Sequence, residues 1–558
     1  MLTAKQSSRL SLILFALIVC LIFFSVKLVL IQVFKAAFLA ELADKQHNYF
    51  IELEPIRGTI YDRQLRPLAL NVAVYSLYAK SRTMTQPQKE EAIKHLCAVL
   101  DLDPEFLRER LSRKKYFVWI ARKLSVETVA KIRGLNLEGL DFLKESKRYY
   151  PNQSLAAHVI GFAGIDNNGL EGLEKMYDEY LKGEMGWSQI LRDAKQRELL
   201  IEKNYVAPRD GFNLVLTIDE TIQYIAEHAL DKAMEKHHAQ SAMIIVLDPK
   251  TGEILALANR PTYDLTQVSQ SSIESRTNRA VAFVYEPGSV FKIVTASAAL
   301  EENAAKETDK FFCENGSYRI GNHTLHDHHA HGTLTFSEVF EQSSNIGVSK
   351  IAQKLGAEKI YEYANRFRFG KLTDINLPGE VRGMLKVPAL WSKTSIGAIP
   401  MGQEVTVTAM QLVCAIASIA NDGVYMRPYV VKYVKDQKDE VIKEFHPETV
   451  AQVITPETAQ RVKEILYRAV EHGTGRMARI EGMKVAGKTG TAQKVIEGGY
   501  SHGKYYASFI GFAPVENPRL ALVVVFDEPR GSYFGGTVAA PVFKEVVENS
   551  LKYLDAKF

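Results

Sequence analysis

The segment from Leu10 to about Leu30 limits most strongly what this chain can become, because it is an apolar run with a single charge, Lys27. A helix of this length can cross the roughly 30 Å hydrocarbon core of a membrane. A cleavable signal peptide is the competing interpretation, but the run is longer than a usual signal core and Ala37 to Ala40 lacks the A-x-A spacing of a cleavage site. We therefore predict an uncleaved anchor at residues 10–31 after a short cytoplasmic tail at residues 1–9.

Composition describes a globular protein behind that anchor. The 558 residues are 46% hydrophobic and 24% charged, which is enough apolar material for more than one domain. The net charge of +4 comes with no stripe of lysine and arginine among aromatic residues, so nucleic acid is not an expected partner. The four cysteines are scattered without metal or redox spacing, and they predict no disulfide framework.

The chain after the anchor divides at a polar stretch, Asn204 to Gly211, which contains Pro208. Before it, residues 32–207 read as a non-catalytic domain, with mainly short amphipathic helices between Gln86 and Lys147. After it, residues 208–558 change pattern. A strand at 213–218, a helix at 222–236, strands at 242–247 and 253–258 and a final helix near 542–554 are predicted there.

Ser289-Val290-Phe291-Lys292 is the first candidate for chemistry in the second domain. Pro287 and Gly288 precede it and a small apolar run follows, so Ser289 should open a buried helix with Lys292 one turn away. The positive end of a helix stabilises an oxyanion and disfavours the charged form of a buried lysine. Lys292 could therefore act as a neutral base for Ser289. The same spacing recurs at Ser501 and Lys504 in a glycine-rich stretch, so the motif alone decides nothing.

Ser343-Ser344-Asn345 is the second candidate. Thr335 and Glu338 upstream form a capping-box pattern, so the triplet should end a short helix. A hydroxyl and an amide at such a position suit proton relay and substrate orientation. Helix termination by small polar residues is the simpler alternative.

The third candidate, Lys488-Thr489-Gly490-Thr491, also completes the phosphate-loop pattern G-x-x-x-x-G-K-T from Gly482. A phosphate loop needs a buried strand before it and a helix opening at the lysine, and neither flank fits. The better hypothesis is an edge strand from Val485 to Gln493, in which Gly490 has no side chain that would obstruct a ligand on the strand. Strict alternation would then put Lys488 on the opposite face from both threonines. The sequence leaves open how one site could use all three side chains.

The order Ser-x-x-Lys, Ser-x-Asn, Lys-Thr-Gly resembles the signature of penicillin-binding proteins and serine β-lactamases. Further stretches resemble the class B penicillin-binding proteins, the monofunctional peptidoglycan transpeptidases, and within them the division type known as FtsI. Those stretches are the anchor, Arg57-Gly58 to Asp62-Arg63, Tyr150-Pro151 to Glu171-Gly172-Leu173-Glu174, Glu286-Pro287-Gly288, and Gly402-Gln403 before Thr408. Two departures stand out: Glu404 replaces a common glycine and Ala409 a common proline.

The resemblance implies an α+β fold, in which a transpeptidase domain with a central antiparallel sheet and a helical part follows a mixed α/β pedestal. It also implies that Ser289 attacks D-alanyl-D-alanine stem peptides or β-lactams, with Lys292 as base. Ser343 would relay a proton and Asn345 would orient the substrate. Lys488, Thr489, Gly490 and Thr491 would hold the terminal carboxylate, and the N–H groups of Ser289 and Thr491 would form the oxyanion hole. No cofactor or metal is implied.

Several alternatives stay open beside this hypothesis. A β-lactamase needs a water-activating group, and no Glu-x-x-Leu-Asn stands between the second and third motifs. A penicillin sensor usually has more membrane helices or a cytoplasmic domain, for which nine residues leave no room. The protein could also be a class B transpeptidase of cell elongation or of sporulation instead of cell division. His323, His326, His328, His329 and His331 invite a metal hypothesis, but without cysteine or H-E-x-x-H they are better explained as a loop bordering the site.

The resemblance also implies partners and a location. A polytopic glycan polymerase of the SEDS type and other division proteins would bind through the anchor and the first domain. The protein would be a single-pass protein of the cytoplasmic (inner) membrane. The charges that flank the anchor hardly decide orientation. The chemistry places the catalytic body on the outer side.

Overall fold

The computed structural model describes residues 4–40, 48–115, 117–192, 198–321, 323–497 and 499–556, so residues 1–3 of the predicted tail lie outside it. A helix spans Ala4–Val29 and continues into a π-helical turn at Leu30–Phe34. By length and composition, Ser8–Phe34 is the one helix in the described residues that could cross a membrane. This agrees with the predicted anchor.

The chain forms two compact units, and the first consists of residues 1–56 and 183–210. Besides the apolar helix, it contains a three-stranded antiparallel sheet in the order Asn48–Leu53, Gly186–Arg192 and Glu198–Val206. The Ile56 N–H donates to Asp210 Oδ1 at 2.8 Å, which fastens the two segments of this unit where they meet.

The second unit holds residues 57–182 together with 211–558. A seven-stranded sheet joins these two segments, because Ile60–Tyr61 pairs in parallel with Asn213–Leu216. In sheet order the strands are Val441–Glu444, Val431–Lys435, Asn213–Leu216, Ile60–Tyr61, Pro67–Ala79 and Val118–Leu124, with Leu140–Tyr149 also on Pro67–Ala79. The boundaries between the compact units fall after residues 56, 182 and 210. The predicted domain boundary between residues 207 and 208 differs from these points and stays a prediction.

The region between Gln86 and Lys147 is less helical than its pattern suggested. Its helices are Gln86–Leu100, Pro104–Ser112 and Val126–Gly134, but the strands Val118–Leu124 and Leu140–Tyr149 lie among them. Leu140–Tyr149 was missed because five of its ten side chains are charged and lie on both faces of the strand, so the sequence shows no alternation of apolar and polar residues.

A buried ion cluster fixes the start of this unit. Arg57 and Glu174 are 1% and 0% exposed, and Arg57 Nε donates to Glu174 Oε2 at 2.6 Å. Arg148 Nε donates to the other oxygen of Glu174, also at 2.6 Å, and Arg57 Nη1 reaches Asp178 Oδ1 at 2.6 Å. Because a buried charge without a partner is costly, these four side chains depend on one another.

A five-stranded, fully antiparallel sheet forms the centre of the larger segment, as predicted. Its strand order is Ile254–Arg260, Ser241–Leu247, Leu520–Asp527, Gly499–Ala513 and Ala486–Ile496. Side chains alternate between two cores, so that Ile244 and Val246 face one and Met243 and Ile245 face the other. The helices Glu220–His237 and Gly535–Ala556 cover the first face.

A helical part lies on the second face of the sheet around Lys292–Glu301, which is buried almost throughout and which we call the central helix. Helices around it are Phe336–Glu341, Asn345–Leu355, Ala357–Arg366, Ala409–Ala420 and Pro456–Glu471. Short helices are Ala157–Ile160, Gly172–Met176, Asp178–Leu181, Ile273–Arg276, Arg279–Ala282 and Ser395–Ala398. Two-stranded pairs are Lys310–Phe312 with Thr333–Thr335, Ser317–Ile320 with His323–His326, Met384–Leu385 with Val405–Thr406, and Val424–Met426 with Thr449–Gln452.

Candidate active site

Ser289 lies at the start of the central helix, in a tight 3₁₀ turn at Gly288–Phe291 that leads into Lys292–Glu301. The prediction that Ser289 opens a buried helix is confirmed, although the first turn is 3₁₀ and not α. Gly288 has φ +60°, and a Cβ there would come within 3.0 Å of the Thr491 carbonyl oxygen. This close approach brings the turn against the edge strand Ala486–Ile496 and leaves the Ser289 side chain partly exposed.

Lys292 is fully buried behind that turn. Its Nζ donates to the Ser343 carbonyl oxygen at 2.7 Å, to Asn345 Oδ1 at 2.8 Å and to Ser343 Oγ at 3.3 Å. Burial lowers the pKa of Lys292 to about 7, and nearby Asp327 partly offsets this. A substantial fraction of Lys292 is therefore neutral near pH 7, as a base for a serine hydroxyl must be.

Lys488 approaches the same hydroxyl from the edge strand. Its Nζ donates to Ser343 Oγ at 2.8 Å and to the Thr489 carbonyl oxygen at 3.4 Å. Burial, and then the neighbouring Lys292, lower the pKa of Lys488 well below its usual value. Ser343 Oγ thus bridges two buried amines whose simultaneous protonation is disfavoured, which suits the transfer of a proton between them.

The second motif lies between two helices. The capping box of Thr335 and Glu338 starts Phe336–Glu341, as predicted, and this helix ends before the triplet. Ser343 then takes a left-handed conformation with φ +61°, which is uncommon for a residue with a side chain and is often found at functional sites. Ser344 caps the next helix, Asn345–Leu355, by accepting from the Gly347 N–H at 2.9 Å.

Asp327 is the residue of this site that the motifs did not indicate. Its Oδ2 accepts from Ser344 Oγ at 2.6 Å, and its Oδ1 accepts from the N–H groups of Asn345 at 2.5 Å and Ile346 at 3.1 Å. Asn345 Nδ2 also donates to the His326 carbonyl oxygen at 2.9 Å. The carboxylate thereby holds the N-terminus of a helix and fixes the Ser-x-Asn motif. Its one sequence signal was that it is the single acidic residue in the histidine-rich segment.

The third motif alternates strictly along the edge strand. Lys488 points toward Ser343, and a Cβ on Gly490 would meet Val290 Cγ1 at 2.9 Å. Val290 lies in the turn Gly288–Phe291, which we call the nucleophile turn after the predicted role of Ser289. The threonines use their hydroxyls elsewhere: Thr489 Oγ1 contacts Thr474 Oγ1 at 2.8 Å, and Thr491 Oγ1 accepts from the Gly535 N–H at 3.2 Å. The structure therefore keeps the separation of faces that alternation predicts.

The look-alike motifs have other local structures. The phosphate-loop pattern ends inside the strand Ala486–Ile496, with no helix opening at Lys488. Ser501 and Lys504 share a strand, where Ser501 Oγ accepts from the Lys504 N–H at 3.2 Å. The Lys-Thr-Gly at Lys250 lies in the turn between two strands of the central sheet, as predicted. Within the described residues, no group of three or more His, Cys, Asp or Glu side chains is arranged to hold a metal.

A loop borders the nucleophile turn and carries Glu404 and Ala409, the two residues that differ from the usual pattern of the resembled family. Gly402 has φ +86°, and a Cβ there would lie 2.1 Å from the Gly288 carbonyl oxygen. Glu404 has φ +57°, a conformation that glycine adopts more easily. Its carboxylate accepts from Ser395 Oγ at 2.8 Å and pairs with Lys386 Nζ at 3.4 Å, which compensates for the strained backbone. Ala409 is the first residue of the helix Ala409–Ala420, a position that also suits proline.

Known proteins carry the same organisation. A family model described as the penicillin-binding protein transpeptidase domain matches residues 242–548, and one for the penicillin-binding protein dimerisation domain matches residues 52–216. Stage V sporulation protein D of Bacillus subtilis is 37% identical, over 98% of this chain and 85% of that protein. Peptidoglycan D,D-transpeptidase FtsI of Escherichia coli is 31% identical, over 98% of this chain and 92% of that protein. The chain belongs to the class B penicillin-binding proteins.

Solved structures of penicillin-binding proteins agree with that assignment. Penicillin-binding protein 3 from Mycobacterium tuberculosis superimposes with a TM-score of 0.71 at 28% identity, covering 90% of this chain and 97% of that one. A peptidoglycan synthetase from Bifidobacterium adolescentis gives a TM-score of 0.74 at 26% identity, covering 91% and 97%. The α+β fold that the sequence resemblance implied is therefore confirmed.

Proposed function

We propose that this protein is a peptidoglycan D,D-transpeptidase, in which Ser289 forms an acyl-enzyme from D-alanyl-D-alanine stem peptides. One observation carries the proposal: three motifs distant in sequence meet at Ser343 Oγ, with Lys292 and Lys488 on it at 3.3 and 2.8 Å. Two buried amines around one hydroxyl form a proton path next to a serine at a helix N-terminus.

The proposed chemistry assigns a step to each of these residues. Lys292 takes the proton of Ser289 as Oγ attacks the penultimate D-alanine carbonyl, and the N–H groups of Ser289 and Thr491 stabilise the oxyanion. One such donor is typically worth about 3 kcal/mol. Ser343 relays a proton to the leaving D-alanine amine as the peptide C–N bond breaks. An amine of a second stem peptide then attacks the ester, which forms the crosslink and frees Ser289.

Substrate orientation falls to the remaining motif residues. Asn345 fixes Lys292 through its Oδ1, while its Nδ2 donates one N–H to the His326 carbonyl oxygen and keeps the other for the substrate. Lys488, Thr489, Gly490 and Thr491 receive the terminal carboxylate on the edge strand, where Gly490 leaves room beside the nucleophile turn. The Thr491 hydroxyl accepts from the Gly535 N–H and can still donate its own proton to a carboxylate, whereas the Thr489 hydroxyl contacts Thr474 Oγ1.

The cellular role belongs to the same proposal. We assign the protein to septal wall synthesis, as a single-pass protein of the cytoplasmic membrane with its catalytic body outside and a SEDS-type polymerase as partner. The FtsI relative supports division, whereas the 37% identical stage V sporulation protein D favours a sporulation role as the second candidate. Depletion separates the two: loss of a septal enzyme gives filaments in growing cells, and loss of a sporulation enzyme impairs only spores.

Covalent labelling tests the enzymatic part. Structures of the Mycobacterium tuberculosis relative, 28% identical, are complexes with aztreonam and ampicillin, which supports β-lactams as ligands here. We expect intact-mass analysis to show one penicilloyl adduct on the wild type and none on Ser289→Ala, while Ser501→Ala keeps it. An adduct that persists in Ser289→Ala or maps to Ser501 would refute the assignment. Rapid release of the adduct by water would favour a β-lactamase.

A further inference from the structure

Glu286 stands three residues before Ser289 and is only 8% exposed. Its Oε1 accepts from the Glu404 N–H at 2.9 Å and from the Tyr500 hydroxyl at 3.3 Å. Its Oε2 is buried and has no hydrogen-bond partner among the described residues. A buried carboxylate oxygen without a donor is unusual, because it loses its hydration without replacement.

The carboxylate of Glu286 also forms no ion pair. In the described part of the chain, no lysine or arginine lies within ion-pair distance of it, and the nearby Lys386 pairs with Glu404 at 3.4 Å. The surroundings of the nucleophile turn thus contain two separate groups: the amines of Lys292 and Lys488 around Ser343, and a carboxylate without an ion pair at Glu286. Burial raises the pKa of Glu286, and the hydrogen bonds from the Glu404 N–H and the Tyr500 hydroxyl, with the nearby charge of Lys386, partly offset this. A bound cation would relieve both the missing charge and the missing donor.

We infer that the Glu286 carboxylate is the binding residue for the cationic amine of the acceptor stem peptide. The inference rests on the proposed function, since that reaction ends with attack by a primary amine, which is protonated in water. The bound ammonium first gives one proton to the Glu286 carboxylate. The neutral amine then attacks the ester carbonyl, and its second proton goes to Ser289 Oγ as the ester C–O bond breaks. An ammonium group supplies N–H donors and the opposite charge, and both are what Oε2 lacks. Glu404 and Tyr500 act as positioning residues, because their hydrogen bonds fix the orientation of the carboxylate.

The test uses Glu286→Gln in the full-length protein. Glutamine keeps an oxygen that can accept from the Glu404 N–H and removes only the charge. The measured quantity is the partition of the Ser289 acyl-enzyme between water and an added acceptor. The two acceptors are a stem peptide with a free primary amine, which is cationic at neutral pH, and hydroxylamine, which is uncharged. The matched control is Glu448→Gln, which removes the charge of an exposed carboxylate paired with Arg427.

For Glu286→Gln we expect transfer to the cationic acceptor to fall by about tenfold relative to hydrolysis. Transfer to hydroxylamine and acylation by penicillin should stay within about twofold of the wild type. Tyr500→Phe should cause a smaller loss of the same kind, and it provides a second test if Glu286→Gln does not fold. An equal loss with both acceptors, a loss of penicillin acylation, or an unchanged partition would each overturn the inference. Absence of acylation in the wild type would instead refute the proposed function.

Discussion

Removing the carboxylate of Asp327 is the sharpest test of how this site is held together. Asp327 never enters the proposed chemistry, yet its two oxygens receive the Ser344 hydroxyl and the N–H groups of Asn345 and Ile346. Asn345 and Ser343 in turn hold Lys292. A change at residue 327 should therefore reach the base through one turn of helix.

The size of the effect follows from these bonds. Each hydrogen bond to a charged group contributes about 1.5–3 kcal/mol when buried. Asp327 is only partly buried and its donors can turn to water, so we expect Asp327→Ala to lower the free energy of unfolding by about 3 kcal/mol in total. Asp327→Asn keeps one accepting oxygen and should cost about 1 kcal/mol. A displacement of the motif by about 1 Å can slow a reaction about 100-fold, which we expect for acylation of the alanine variant.

The pH dependence separates positioning from simple loss of stability. The charge of Asp327 raises the pKa of Lys292, so its removal should lower that pKa below about 7. Since the proposed base Lys292 must be neutral to accept a proton, the rise of the acylation rate with pH should move to lower pH in Asp327→Asn. Stopped-flow acylation by a fluorescent penicillin from pH 5.5 to 9 measures the midpoint of the pH profile, and thermal melts over the same pH range measure the stability. An acylation profile that keeps its wild-type midpoint, or moves to higher pH, would refute this reasoning.

Three further outcomes are expected. In the wild type, the acylation rate should rise with pH around a midpoint of about 7, because burial lowers the pKa of Lys292, and Lys292→Arg should be inactive at every pH tested. Glu404→Gly should be more stable in thermal melts than Glu404→Ala by about 1 kcal/mol, because both lose the same contacts and only glycine tolerates φ +57° without strain. Glu174→Ala should lower the free energy of unfolding by about 3–5 kcal/mol in denaturant titrations, since it leaves the buried Arg148 without an ion-pair partner and Arg57 with Asp178 alone, and a change below 1 kcal/mol would contradict this.

Much of the site could be predicted because it depends on short-range geometry. One helical turn places Lys292 behind Ser289, a capping box starts the helix before Ser343, and strand alternation fixes which face Lys488 uses. Each of these is a periodicity of the backbone that the sequence displays directly. The resemblance then supplied the association of the three motifs, which no single spacing contains.

The rest could not be predicted because it depends on contacts between distant segments. Asp327 matters only because the strand pair Ser317–Ile320 and His323–His326 leads the chain to the N-terminus of Asn345–Leu355. Glu286 matters through Tyr500, which lies 214 residues further along the chain. Strand pairing of this range leaves no local mark in composition or periodicity. The strand Leu140–Tyr149 was missed for another reason, because charged side chains on both of its faces hide the alternation of a strand.

The order of strands in the central sheet has a consequence for when the protein can react. The strand that carries Lys488 pairs with Gly499–Ala513. This pair of strands is joined to Ser241–Leu247 only by Leu520–Asp527, which comes late in the chain. During synthesis of the chain, Ser289 and Lys292 are therefore present long before the strand that carries Lys488 can join the sheet and reach Ser343. Labelling by β-lactams should thus become possible only when almost the whole chain has been made, and a chain cut before residue 520 should remain unlabelled.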